Sequence, residues 1–110
     1  MVIQFVRIVT ALSHEEVVRI MEERAPRFRE VPGLVQKYYG HDQESGAYCG
    51  CYLFDSEESR EAFRQSELAR TIPAAYEAEE IRVEPYEVLF PLHEEELLPA
   101  GRRPLRRASD

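Results

Sequence analysis

The sequence predicts an α+β fold of order βαββαβ, ferredoxin-like, with a four-stranded antiparallel sheet and both helices on one face. Three observations carry this. A hairpin entered through a Pro-Gly turn occupies the middle of the chain, from Val31 to Phe54. An amphipathic stretch lies on either side of it. Apolar runs suited to strands begin the chain and follow the second amphipathic stretch.

Val2 to Thr10 is almost continuously apolar, as expected of a strand covered on both faces. Gln4 and Arg7 interrupt it and no small-residue cleavage site follows, so it reads as a strand and not a signal peptide. Ser13 offers an N-cap and Glu16, three residues on, completes a capping box. The first helix is predicted from about His14 to Phe28, with Val17, Ile20, Met21, Ala25 and Phe28 on its apolar side. Pro26 lies late in it and removes a backbone donor, which predicts a kink or a loosened last turn.

Pro32 and Gly33 then halt the helix and start the hairpin. Its first strand is rich in Val and Tyr, its turn spans the polar His41 to Ser45, and its second strand ends at Phe54. Asp55 or Ser56 is expected to cap a second helix carrying Ala62, Phe63, Leu68, Ala69 and Ile72 inward until Pro73 breaks it. Ala74 to Glu80 reads as a connection, and Ile81 to Phe90 as a fourth strand in which Pro85 marks an edge or a bulge.

Composition narrows the classes. The chain has 110 residues, so residues 1–92 form one domain able to bury roughly 65% of its unfolded surface without a disulfide or metal. A net charge of −7 with interleaved signs argues against nucleic acid. No run reaches the roughly 18 apolar residues of a membrane span, so a cytoplasmic protein with no membrane partner is expected. Residues 93–110 read as a charged tail, with acidic Glu94 to Glu96, Leu97 and Leu98 able to fold back, and arginines 102, 103, 106 and 107 near Ser109. The strands carry too few polar residues for a wet second sheet face. A homodimer with two sheets packed face to face is the simplest cover.

Three stretches resemble a family. VPGLVQKYY is similar to the P-G-[LF]-x-W-K-x-W pattern of the YdhR-like group, with Lys37 on the lysine and Gln36 and Tyr39 replacing the two aromatics. CGCYLFDSEESREAF resembles its G-G-I-Y-L-F segment, with Gly50, Tyr52, Leu53 and Phe54 matching. Ala69 and Arg70 match the end of its H-T-A-R, with Glu67 where the histidine stands. The resemblance covers about residues 2 to 90 and places the chain beside the antibiotic-biosynthesis-type monooxygenases, in the dimeric α+β barrel superfamily. It implies a cofactor-independent monooxygenase acting on a small aromatic or phenolic substrate in a cavity of a homodimer. The chain has no Trp and no Asn, and haem degradation is not expected. A non-catalytic ligand-binding or stress-associated module, or an isomerase or lyase on the same fold, are the alternatives.

Such chemistry needs a base or donor that stabilises a phenolate or enolate. Lys37, the only lysine among 14 basic residues, and Tyr39 are the catalytic candidates, while Tyr38, His41, Tyr52 and Arg70 are candidate substrate contacts. Lys37 reads either as a desolvated pocket ammonium or as an edge lysine that snorkels. Tyr39 and His41 share its parity along the strand, whereas Tyr38 and Gln36 project from the other face. Which face meets the helices is left open by the pattern. Arg70 equally suits a helix C-terminus, and His14 reads as solvated. Cys49 and Cys51 lack a second ligand pair, so no metal is expected and both read as small buried hydrophobes, and the resemblance implies that no cofactor is used.

Overall fold

A computed structural model describes residues 1–93. The tail features expected from Glu94 onward lie outside the described residues. Strand β1 (Val2–Thr10) runs between β3 (Tyr48–Phe54) and β4 (Ala78–Glu87), and β2 (Leu34–His41) pairs with β3, giving the antiparallel order β2-β3-β1-β4. The expected α+β fold with a four-stranded antiparallel sheet forms.

Parity sorts the two faces. Val2, Gln4, Val6 and Ile8 are buried on one face of β1, together with Tyr48, Tyr52 and Phe54 of β3. Helix α1 (His14–Arg29) supplies Val17 and Phe28 to this core, and α2 (Glu57–Arg64) supplies Phe63. Phe28, Phe63, Tyr52 and Phe54 meet with ring centroids 5.4–6.0 Å apart. The opposite face carries Phe5, Cys51, Tyr38 and Tyr86 and has no cover among the described residues.

Buried Gln4 shows how a polar residue fits an apolar strand. Its side-chain carbonyl accepts a hydrogen bond of 2.9 Å from Arg60 Nη1 of α2, and Arg60 in turn grips Glu57 through Nε and Nη2. The buried amide is thus partnered, as burial demands.

The capping box at Ser13 and Glu16 forms as read. Helix α1 continues through Pro26 to Arg29, and i→i−3 bonds of 3.2 Å, from Glu30 N–H to Arg27 and from Val31 N–H to Phe28, close its end. Gly33 has φ +80°, and a Cβ there would collide with Ser59 of α2.

The second helix departs from expectation. It ends at Arg64, and two single-turn helices follow, α3 (Glu67–Arg70) and α4 (Ile72–Ala75). Ser66 causes the break: its hydroxyl accepts from the Ala69 N–H and donates to the Phe63 carbonyl, so a new helix starts where the old one ends. Pro73 sits in the first turn of α4, where a missing N–H costs nothing, and so it opens a helix where the pattern had it closing one.

Strand β4 begins and ends three residues earlier than the pattern suggested. Pro85 lies on this edge strand opposite Gln4, while the register shift falls elsewhere, between Val9 and Thr10. Leu89, Phe90 and Leu92 follow the strand and are highly exposed.

Candidate functional site

Strand β2 is an edge strand, and its helix-facing residues carry the site. Lys37 lies opposite Tyr52, and Tyr39 opposite Gly50, in the β2/β3 ladder. Residues paired across a ladder share a face, so the Lys37 side chain runs over Gly50 toward α1. A Cβ on Gly50 would lie 2.9 Å from the Tyr52 ring and 3.3 Å from Lys37 Cε, so this glycine makes the space in which ring and stem cross.

Lys37 Nζ sits 3.4 Å from the ring centroid of Phe28, 4.4 Å from that of Tyr39 and 4.5 Å from that of Tyr52. Aromatic faces attract an ammonium. Among the described residues no carboxylate lies within ion-pair distance of it. Burial, with a smaller push from the Arg24 guanidinium, lowers the Lys37 pKa to about 7.

The neighbouring phenols move the other way. Burial pushes Tyr76 up to about 12 and raises Tyr52 further, so both stay protonated. Burial also raises Tyr39, against the pull of Arg29 and Arg24. Near neutral pH the site therefore holds one amine poised to gain or lose a proton, among phenols that can donate hydrogen bonds.

Arg24 reaches the same place from α1. Its guanidinium carbon is 5.9 Å from the centroid of Phe28, and Nη2 donates to the Leu68 carbonyl at 3.0 Å and to Thr71 Oγ1 at 3.3 Å. Its Nε is buried without a hydrogen-bond partner among the described residues.

Two spaces adjoin Lys37. An inner cavity of about 20 Å³ between sheet and helices is lined by Met21, Lys37, Tyr39, Tyr52, Ile72 and Tyr76. It has room for about one water molecule. On the outer side, a cleft of about 490 Å³ opens between the C-terminal half of α1 and β2. Lys37 and Tyr39 line both.

The residues singled out by sequence fall in three places. Lys37, Tyr39 and Tyr52 come together, on the helix-facing side. His41 shares that side but lies at the far end of β2, stacked on Tyr48 with centroids 4.4 Å apart. His14, read as solvated, is exposed yet its Nδ1 pairs with the Tyr48 hydroxyl at 2.9 Å. Tyr38 projects from the opposite sheet face and is 62% exposed, and Arg70 is exposed at the end of α3, lining neither space. Cys49 and Cys51 are free thiols on the uncovered face, half-buried, and burial raises both. Among the described residues no three His, Cys, Asp or Glu side chains are grouped to hold a metal.

Sequence reasoning missed Arg24 and Tyr76 and gave Phe28 only a core role. The signal for Arg24 was available: it sits four residues after Ile20 and four before Phe28, on the apolar stripe, where a charge is out of place.

Residues 3–96 match the family model described as "Putative mono-oxygenase ydhR". The chain belongs to the ydhR family. No curated protein matches it. Among solved structures, this ydhR-family chain is similar to a "putative antibiotic biosynthesis monooxygenase" from Deinococcus radiodurans, at 13% identity and a TM-score of 0.69 over 84% of this chain and 97% of that one. It is also similar to Rv0793 from Mycobacterium tuberculosis, at 12% identity and a TM-score of 0.68 over 84% and 98% of the two chains. SnoaB from Streptomyces nogalater, described as a cofactor-independent oxygenase, aligns at 12% identity and a TM-score of 0.69 over 83% and 95%. At these identities the likeness shows the fold. No helix among the described residues is long and apolar enough to cross a membrane.

Proposed function

We propose that this ydhR-family protein is a cofactor-independent monooxygenase acting on a small aromatic or phenolic substrate, bound beside Lys37 in each protomer of a homodimer. One observation carries the reading: the single lysine of the chain lies among three aromatic rings, with no carboxylate at hand among the described residues and a pKa of about 7. A neutral amine there accepts the phenolic proton. The ammonium so formed stays beside the phenolate and stabilises it electrostatically. The electron-rich ring then reduces dioxygen itself: one oxygen atom becomes bonded to a ring carbon as a carbonyl and the other leaves as water, taking the two hydrogens lost by the substrate. The tyrosine hydroxyls serve as hydrogen-bond donors to the developing oxygen charge.

The test is oxygen uptake against a panel of hydroquinone-, naphthol- and anthrone-type substrates, with no metal or flavin added. One dioxygen per substrate is expected, and Lys37→Met should lower kcat by on the order of 10²–10⁴ while the oligomeric state is retained. Undiminished turnover by the variant would remove Lys37 from the mechanism. A second reading, a ligand-binding module without turnover, is favoured by the inner cavity, whose volume of about 20 Å³ suits a water molecule but is too small for an aromatic substrate. Binding without oxygen uptake would select it. Turnover without oxygen would select the isomerase or lyase alternative.

A further inference from the structure

We propose that the outer cleft between α1 and β2 is a binding site for a flat aromatic acid, with its anionic group at Lys37 Nζ and its ring against Phe28 and Tyr39. This deepens the reading of the same site and rests on its placing of the ligand anion beside the Lys37 ammonium, but not on the oxygen chemistry.

The lining is the first argument. The chain carries 21 acidic residues against 14 basic ones, yet the cleft contains Arg29 and Lys37 and no Asp or Glu. Its remaining lining is mainly apolar, including Ala25, Phe28, Leu34 and Val35. A cationic floor in apolar walls matches a ligand that pairs one anion with a hydrophobic body. The cleft volume of about 490 Å³ lies within the usual range for small-molecule sites.

Missing counter-charge is the second. Arg24 and Lys37 both lie against Phe28, at 5.9 and 3.4 Å from its centroid, and neither has a carboxylate partner among the described residues. Buried cations are ordinarily paired. Arg24 Nη2 is held by backbone and threonine oxygens that carry no net charge. Arg24 and Arg29 from α1, Tyr39 from β2, Tyr48, Cys49 and Tyr52 from β3 and Tyr76 beyond α4 are the charged and titratable groups around Lys37 among the described residues, and no carboxylate is among them. A bound acid supplies it.

A linkage follows that a merely greasy cleft would lack. An acid that binds at Lys37 favours its charged form, so binding above neutral pH draws a proton from solution.

The experiment is titration calorimetry with 2-naphthoate and, as its neutral counterpart, naphthalene-2-methanol, in buffers of different ionisation enthalpy. The acid is expected to bind at least tenfold more tightly at pH 7. It should take up close to one proton per ligand at pH 8.5 and close to none at pH 6. Lys37→Met should abolish the proton uptake and reduce the preference to the several-fold share of Arg29, and Arg29→Gln should weaken the acid several-fold without affecting the alcohol. Equal affinities for acid and alcohol, or a proton count unchanged between pH 6 and pH 8.5, would overturn the proposal. Acid binding with proton uptake but no oxygen consumption by any phenol would sustain the cleft and sink the oxygenase. Oxygen consumption with neutral phenols and no preference for acids would do the reverse.

Discussion

An ammonium among aromatic rings has cation–π attraction to offset what it loses in hydration, but rings screen a charge less well than water does. At Lys37 the balance falls against the charged form, because burial and the Arg24 guanidinium act in the same direction. The unfolded chain holds this proton up to pH 10.5, whereas the folded chain releases it at about 7. Between those values the unfolded state binds more protons, so the contribution of Lys37 to stability rises with pH through this window and is least favourable below pH 7. Compared with Lys37→Met, the wild-type protein should therefore gain about 2 kcal/mol between pH 7 and pH 9. Urea unfolding of both proteins at the two pH values measures this. Parallel stability curves would show that the amine is better solvated than its surroundings imply. Lys37 and Tyr39 were legible as candidates from strand parity and from the motif resemblance. Their partners were not, since parity says which residues share a face of β2 but cannot say that Phe28 descends on that face from α1.

At the scale of elements, local chemistry was readable and its competition was not. Ser13 with Glu16 and the Pro-Gly turn each act within four residues, and each formed as read. Ser66 looked like one polar residue within a helical run. Its hydroxyl instead satisfies a backbone donor and a backbone acceptor at once, which splits the expected second helix into α2, α3 and α4. Single-turn helices have little stability of their own. Arg24 ties them down, with one guanidinium nitrogen on the Leu68 carbonyl and the Thr71 hydroxyl. Arg24→Met should keep the stem packed and release the tether, at a cost of about 1–2 kcal/mol. Hydrogen exchange is expected to quicken in 67–76 and to be unchanged in the β1/β3 ladder. Uniform quickening across the chain would mean that Arg24 supports the whole core and not this strap in particular. The strap also roofs the inner cavity through Ile72 and Tyr76, so its release would enlarge the space beside Lys37.

For the whole molecule the governing fact is a sheet face that none of the described residues covers. Phe5 and Tyr86 meet edge to face there with centroids 6.0 Å apart, beside Cys51 and near the exposed Tyr38. The same face also carries Arg7, Arg82 and Glu84, and its apolar part calls for a partner, which the homodimer proposed above would supply as the same face of a second protomer. Phe5→Arg would bring a charge from each protomer into the face such a pair buries. The expected outcome is a folded monomer by native mass spectrometry and an unchanged far-ultraviolet circular dichroism spectrum. A dimer that persists would place the contact elsewhere. The apolar run of β1 signalled the need for cover, because both parities are apolar, but a pattern of hydrophobicity carries no address for the partner. The singularity of Lys37 reaches further than its site. Reductive methylation with isotope-labelled formaldehyde would modify one side chain among the 110 residues, so one side-chain resonance would stand for all the lysine. It would report, with no mutation made, the charge at the heart of the molecule.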